Sequence, residues 1–252
     1  MPLPVALGLY SVRDLYREDL DACLQKTAAI GYTGVECFGA PTLPAEKVRA
    51  MLDKYHLELV GWHTPIELLE GEELVRTVDY FHTVRCTRAI VPSMPQETFE
   101  TRASVLGFAT RMNAIRTRLL QHGIELGFHN HGIEFVALEG GELPWAVLMD
   151  NTGIIPQLDT GNALSSGTPG LDVAALVSRW PGRAATVHVK PYSFTKRFET
   201  MIGEDDIDWS AFLYAAEHTG GTKWIIVEYE EDHVYAQFEA AAMCIHALEA
   251  FN

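Results

Sequence analysis

The chain has 252 residues, 48% hydrophobic and 21% charged, which is typical of a soluble globular protein long enough to bury one core. Its 19 Lys and Arg against 34 Asp and Glu give a net charge of −15. This net negative charge disfavours a nucleic-acid partner, because a protein that binds nucleic acid needs a basic face to contact the phosphates. No stretch reaches the ~18 apolar residues of a membrane span, so a membrane partner is not expected either.

Short apolar runs alternate with helical patterns along the whole chain. The predicted strands are Ala6–Tyr10, Gly34–Phe38, Leu57–His63, Arg88–Pro92, Ile124–Asn130, Ile155–Asp159, Thr186–Lys190 and Trp224–Glu228. The predicted helices are Leu20–Ala28 (closed by Gly31), one from about Pro44 in its first turn, then Glu72–Arg85, Glu97–Gln121, Pro144–Asp150, Val173–Trp180, Asp208–His218 and Tyr235–Ala250.

This alternation predicts an α/β fold with a parallel sheet, and eight strands suffice to close a barrel. We therefore predict one (β/α)8 TIM barrel domain over residues 1–252. The alternative is a doubly wound open sheet, which normally has fewer strands. The sequence also lacks the Gly-rich phosphate loops GxGxxG and GxxxxGK[ST].

The cysteine pattern and the first residues of the chain favour a reducing compartment, the cytoplasm. Cys23, Cys37, Cys86 and Cys244 are scattered without a CxxC spacing, as expected of reduced cysteines. The chain begins Met1-Pro2-Leu3-Pro4, without a basic segment followed by a long apolar run. We expect a cytoplasmic protein.

Four predicted strands end in side chains that bind metals or move protons. In a (β/α)8 barrel the carboxyl ends of all strands meet at one rim, so these residues become neighbours. An Asp, a His and two Glu gathered there would hold a divalent cation. The segments are Phe128–His131 with Glu134, Leu158–Asn162, Val187–Lys190 and Val227–Glu230.

Each candidate also has a structural interpretation. Glu228 ends an apolar run, where a carboxylate is costly unless it is paired, solvated or metal-bound, so a strand-end salt bridge is the alternative. Asp159 stands in the same position, and an Asx turn or helix cap is the alternative. His188 shares a strand face with Lys190, which favours an anionic or metallic partner over an ordinary core histidine. Lys190 would then neutralise an enolate or hold a substrate oxygen.

The fifth strand leaves one position of the metal site open. His129 and His131 share a face, and Glu134 follows at the start of the loop, so any of the three could complete the coordination. Three carboxylates and one imidazole suit Mn²⁺, Mg²⁺, Co²⁺ or Zn²⁺. Glu36 and His63 end the second and third strands, and with Tyr10 and Trp62 they supply polar groups and aromatic faces for a sugar pocket. Rim packing is the alternative for the aromatic residues.

Several segments, taken together and in this order, resemble the xylose isomerase-like (β/α)8 barrels, the sugar phosphate isomerase/epimerase family. The resemblance covers almost the whole chain. Its segments are Leu9–Arg13, Gly31–Glu36, Phe128–Phe135, Leu158–Asn162, His188–Lys190, Gly203–Trp209 and Val227–Glu230.

The resemblance implies a divalent metal held by four residues, here Glu134, Asp159, His188 and Glu228. Many relatives carry a Glu within strand five, near the position of Gly127. This chain lacks that residue, so the role is assigned to Glu134, with His129 and His131 as alternatives.

Residues and resemblance together predict a metal-dependent isomerase or epimerase of a sugar, polyol or keto-sugar. The enzyme would remove a proton next to a carbonyl, and the metal would stabilise the enediolate. Glu134 and Glu228 would move the proton. The expected assembly is a homo-oligomer. The predicted substrate-binding residues are His63, Lys190, His129, His131, Glu36, Asn162, Tyr10 and Trp62.

Other functions remain open at this point. The same site supports water elimination, as in an inosose dehydratase-like or other keto-sugar lyase. A non-catalytic sugar-binding barrel is a second alternative, because Gly127 replaces the expected ligand. An endonuclease IV-like phosphodiesterase is a third, but the acidic charge and the small number of histidines disfavour it.

Overall fold

Eight parallel strands form one curved sheet in the computed structural model, which describes residues 3–251. Met1, Pro2 and Asn252 lie outside the described residues, so the structure describes the start of the chain only from Leu3. The sheet order is β6-β5-β4-β3-β2-β1-β8-β7. The strands are β1 Val5–Gly8, β2 Gly34–Phe38, β3 Glu58–His63, β4 Arg88–Val91, β5 Glu125–His129, β6 Ile155–Gln157, β7 Thr186–Val189 and β8 Trp224–Val227.

The two ends of this sheet meet and close the ring. Asp159, just beyond β6, forms a parallel bridge with His188 of β7. The His188 amide donates to the Leu158 carbonyl over 2.8 Å. The other seven joints carry ladders of two or more paired residues, so β6 and β7 form the most sparsely bonded joint. The predicted (β/α)8 barrel is confirmed.

Helices surround the barrel and cover its outer face. In α4 the buried residues Leu74, Val78 and Phe81 recur every three or four positions, which gives one apolar stripe toward the strands. The α-helices are α1 Arg13–Glu18, α2 Leu20–Ile30, α3 Ala45–Lys54, α4 Glu73–Val84, α5 Arg102–Leu120, α6 Pro144–Asp150, α7 Thr160–Ser165, α8 Val173–Ser178, α9 Trp209–Ala215 and α10 Gln237–Leu248. Among residues 3–251, no helix combines the length and apolarity that crossing a membrane requires.

The interior of the barrel changes from apolar to polar along its axis. A small buried apolar cluster contains Ala6, Val60, Trp224 and Ile226. Side chains two positions apart on a strand point to the same face, so Glu228 lies on the same face as Ile226 and Glu36 on the same face as Gly34. The sheet therefore gathers its polar side chains at the carboxyl ends of the strands.

Several element boundaries differ from the sequence prediction. Strand β1 ends at Gly8, and Leu9–Val12 form a 3₁₀ turn. Helix α5 begins at Arg102, where a Thr101–Ser104 capping box satisfies the first amides. Pro44 is the N-cap of α3 and lies just before the first turn. Helix α7 was not predicted, and it begins directly after Asp159, whose side chain accepts from the Asn162 amide.

Candidate active site

A cavity of about 310 Å³ opens where the strands end, within the size range of small-molecule pockets. One part of its wall is apolar or aromatic, and the other part carries ionisable groups. The lining residues are Tyr10, Phe38, Gly39, His63, Pro65, Pro92, Ser93, His129, His131, Glu228 and Glu230.

Four buried side chains beside this cavity could hold one metal ion. His129, Asp159, His188 and Glu228 each offer one ligand atom, and these atoms lie within 4.8 Å of one another. Asp159 Oδ2 lies 4.0 Å from both His129 Nε2 and His188 Nδ1. Metal–ligand bonds of about 2 Å place opposite ligands about 4 Å apart, so the spacing suits a cation.

The Asp159 carboxylate shows whether these residues fit a divalent cation. Its Oδ1 accepts from the Asn162 amide at 2.7 Å, but its Oδ2 is buried and has no hydrogen-bond partner. Burial raises the pKa of Asp159 to about 7, against the attraction of Lys190. A buried carboxylate oxygen without a partner is costly, and a cation between two imidazoles would supply that partner. The donor set of two nitrogens and two oxygens suits a borderline divalent cation.

Backbone and side-chain contacts hold Asp159 in place. The Asn130 side chain donates to the Asp159 carbonyl at 3.2 Å and accepts from the Asp159 amide at 2.8 Å. Asn130 thereby ties the end of β5 to the end of β6. The Asn162 side chain donates to the Asn130 carbonyl at 3.1 Å, so this predicted substrate-binding residue braces the same corner.

Glu134 lies apart from the four-residue group. Its carboxylate is buried in the Ile133–Phe135 turn and accepts from the His131 amide at 2.8 Å. Glu134 is not a lining residue of the cavity, and in this group His129 takes the place that was predicted for Glu134. A Cβ at Gly127 would lie 2.4 Å from Ile90 Cδ1, so a ligand within strand five would require the Ile90 side chain to move.

The burial of Glu134 makes its charge a source of instability. Desolvation raises its pKa from 4.5 to about 7. The folded state then binds more protons than the unfolded state between these values, so its stability falls as pH rises through that window. We expect Glu134→Gln to raise the free energy of unfolding at pH 8, by at most about 3 kcal/mol, and to have little effect at pH 4.5. Urea denaturation in EDTA at both pH values measures this.

A matched control separates this effect from general loss of charge. Glu97, like Glu134, is the second residue of a short 3₁₀ turn (Gln96–Phe99), but it is exposed, so Glu97→Gln should stay within about 0.5 kcal/mol of the wild type. A Glu134→Gln protein that is less stable than the wild type at pH 8 would contradict the expectation.

A buried polar network lies beneath the candidate ligands. Glu36 Oε2 lies 2.7 Å from His188 Nε2 and 2.9 Å from His63 Nε2. Gln157 Nε2 donates to Glu36 Oε1 at 2.7 Å, and Gln157 Oε1 lies 2.8 Å from His63 Nε2 and 3.2 Å from His129 Nδ1. Glu36 was predicted to bind substrate, but it is 2% exposed and does not line the cavity.

The histidines and carboxylates of this network stabilise each other's charged forms. Burial opposes the charged form of His188, but Glu36 and Glu228 outweigh it and raise its pKa to about 10. Burial also opposes the charge of Glu36, and the positive charges of His63 and His188 hold its pKa below the usual range. Burial and the positive charge of His188 lower the pKa of His129, which favours a neutral ring with a free lone pair.

A second ionic group lies at the rim. Lys190 Nζ donates to Glu228 Oε1 at 3.1 Å, forms an ion pair with Glu230 and lies over the Phe198 ring. Burial disfavours the ammonium, but Glu228 and the other nearby carboxylates raise its pKa. Sequence reasoning assigned no role to Glu230 or Gln157. The available signal for Gln157 was a polar residue within an apolar strand, and for Glu230 a second glutamate two positions after Glu228.

The remaining predicted residues divide between cavity and scaffold. Tyr10 and His131 line the cavity, and Tyr10 meets the Phe38 ring edge-on at 5.0 Å. Trp62 points away from the cavity because it alternates with His63 on β3. Its Nε1 donates to the Gly39 carbonyl at 2.7 Å, and its ring packs against Tyr80 and Phe81.

Fold and site together define a (β/α)8 barrel with a buried cluster of histidines and carboxylates at the carboxyl ends of its strands. The xylose isomerase-like TIM barrel family matches residues 24–250, so the chain belongs to that family.

Individual relatives are distant. The rhizopine catabolism protein MocC of Rhizobium meliloti is 23% identical over 255 residues, covering 84% of this chain and 75% of MocC. A solved sugar phosphate isomerase/epimerase from Parabacteroides distasonis is 20% identical, with a TM-score of 0.83 over 99% of this chain and 97% of that one. A solved L-ribulose 3-epimerase is 12% identical, with a TM-score of 0.71 over 99% and 95%. The structural likenesses establish the shared fold.

Proposed function

We propose that this protein is a divalent-metal-dependent isomerase or epimerase of a sugar, polyol or keto-sugar. The observation that carries the proposal is the unpartnered, buried Asp159 Oδ2 among His129, His188 and Glu228, beside a cavity of sugar size. Family membership and the names of the distant relatives support the same class of reaction.

The proposed metal ligands are His129, Asp159, His188 and Glu228, and Glu134 stays the alternative to His129. A divalent cation bound there would act as a Lewis acid toward substrate oxygens and so acidify the neighbouring C–H bond. The proposed cations are Mn²⁺, Mg²⁺, Co²⁺ and Zn²⁺. The two imidazoles favour the borderline cations of this set.

Carboxylates at the cavity would move the proton. Glu228 lines the cavity, and although burial opposes its charge, Lys190 and His188 keep its pKa well below the usual range. This pKa keeps the carboxylate ionised but makes it a weak base, so it would accept a proton only from a substrate C–H bond that the cation has acidified. Glu230 lies on the same wall, and burial raises its pKa, which suits the return of a proton. Glu134, the second carboxylate predicted to move the proton, does not line the cavity, although burial raises its pKa to about 7.

Other cavity residues would orient the substrate. Burial opposes the charge of His63, but Glu36 raises its pKa, so its ring can donate to a substrate oxygen. Tyr10 and Phe38 offer aromatic surface to the C–H face of a sugar ring. Lys190 does not line the cavity but pairs with Glu228 and Glu230, which do, and from there it would hold a substrate oxygen that gains negative charge.

Hydrogen exchange tests the proposal directly. Protein stripped of metal with EDTA and then reloaded with Mn²⁺ is incubated in D₂O with ketoses, inososes and keto-sugars. Phosphorylated and unphosphorylated forms of these sugars are both tried. We expect deuterium at the carbon next to the carbonyl of at least one sugar, only with metal present. Mass spectrometry also detects loss of water, the sign of a lyase. A metal-loaded protein that exchanges no hydrogen in any sugar would count against the proposal.

A further inference from the structure

The two histidines in the candidate metal site face it through different ring nitrogens. His188 points Nδ1 toward Asp159 and Glu228, whereas His129 points Nε2 toward Asp159. A neutral imidazole binds a cation only through its unprotonated nitrogen, so the other nitrogen must carry the hydrogen. The two residues therefore need opposite tautomers: hydrogen on Nε2 in His188 and on Nδ1 in His129.

One buried carboxylate can impose both tautomers. Glu36 Oε2 lies 2.7 Å from His188 Nε2, and a carboxylate only accepts, so this nitrogen donates. His188 Nδ1 lies 2.8 Å from Glu228 Oε2, so a bound cation would displace the hydrogen on Nδ1 and leave the one on Nε2. Glu36 Oε1 also faces the Gln157 amide at 2.7 Å, so the group directed at it is the NH₂. The amide oxygen of Gln157 then points the other way, 3.2 Å from His129 Nδ1, and accepts its hydrogen.

We propose that Glu36 is a positioning residue that sets the tautomers of both histidine ligands, that of His188 directly and that of His129 through Gln157. The proposal rests on the proposed metal site. Buried orienting groups of this kind commonly change metal affinity by about 10–100-fold.

The packing around Glu36 supports this role. Its carboxylate is 2% exposed and outside the cavity lining, so its partners are protein groups. Gly61 lies opposite Glu36 in β3, just beyond a register shift in the β2–β3 pairing. A Cβ at Gly61 would lie 2.7 Å from Glu36 Oε1, so the missing side chain makes room for the carboxylate. Gln157 Nε2 also reaches Thr186 Oγ1 at 3.0 Å, which fixes the amide further.

The first test uses the wild-type protein. Long-range ¹H–¹⁵N spectra of ¹⁵N-histidine-labelled protein loaded with diamagnetic Zn²⁺ report which ring nitrogen is bound. Signals are assigned with His129→Asn and His188→Asn. We expect Zn²⁺ on Nδ1 of His188 and on Nε2 of His129. The opposite nitrogen in either residue would overturn the proposal, whatever the variants do.

The second test uses calorimetric Zn²⁺ titration of variants. Glu36→Gln should weaken binding about 10–100-fold and perturb both histidine signals. Gln157→Met removes only the second link, so it should perturb the His129 signal and leave that of His188. Glu58→Gln, an exposed strand glutamate at the other end of the barrel, is the matched control and should bind as the wild type does.

The outcomes separate the two proposals. Zn²⁺ binding by the wild type with unchanged affinity in Glu36→Gln would overturn the role of Glu36 and leave the metal site standing. A wild type that binds no divalent cation would overturn the metal site, and the role of Glu36 with it.

Discussion

Asp159→Asn is expected to abolish tight metal binding without unfolding the protein. Asparagine keeps an oxygen for the Asn162 amide, so the start of α7 stays capped. It replaces the unpartnered Oδ2 by an NH₂ group, which cannot bind a cation. We expect affinity for Mn²⁺ to fall by on the order of 100-fold or more, and sugar exchange to fall with it.

Thermal unfolding with and without Mn²⁺ measures this loss. Wild-type protein should gain about 2.7 kcal/mol at a cation concentration of 100 times Kd, and the variant should gain almost nothing. Without metal, the variant should be at least as stable as the wild type at pH 8, because burial already raises the pKa of Asp159.

Asp172→Asn is the matched control for this experiment. Asp172 caps α8 as Asp159 caps α7, accepting from the Ala174 and Ala175 amides, but it lies outside the metal-site group. Asn and Asp are comparable caps, so this variant should bind Mn²⁺ as the wild type does. Equal Mn²⁺ affinity in Asp159→Asn and Asp172→Asn would remove Asp159 from the site.

Lys190→Met should cause the largest loss of stability. Lys190 is 5% exposed and lies between the carboxylates of Glu228 and Glu230. Methionine fills a similar volume, but it leaves buried negative charges without their counter-ion. Removing one partner of a buried ion pair costs about 3–5 kcal/mol, and we expect a loss of that size at pH 8.

The pH dependence identifies the cause of this loss. Without Lys190 the carboxylates can bind protons as pH falls, so the deficit should shrink from pH 8 to pH 5. Denaturant unfolding at both pH values measures it. Lys54→Met is the control, because Lys54 pairs with Asp21 at 2.8 Å on the exposed surface and its loss should matter little. A deficit that stays constant with pH would point to lost packing as the cause.

The alternation of strands and helices was readable from the sequence because buried parallel strands are continuous apolar runs. The gathering of Asp159, His188 and Glu228 followed from barrel closure alone, since every strand end reaches the same rim. Helix α7 escaped prediction because its six residues include Thr, Gly, Asn and Ser, which are typical of turns.

The missed details depend on contacts between strands that are distant in sequence. Alternation placed His129 on the right face, but the direction of the Glu134 side chain depends on the turn that follows β5. Gln157 gains its importance from four neighbours on other strands, and no local sequence pattern predicts these contacts. Glu36 stands directly at the register shift in the β2–β3 pairing, and the sequence gives no sign of that irregularity.

The closing joint of the barrel has one more consequence. Its two bridging residues, Asp159 and His188, are also proposed metal ligands, and few backbone hydrogen bonds hold β6 to β7. A cation bound to both side chains would cross-link β6 and β7 at the joint of the barrel with the fewest backbone hydrogen bonds. Metal binding would then stabilise the closed barrel as well as prepare the site for chemistry.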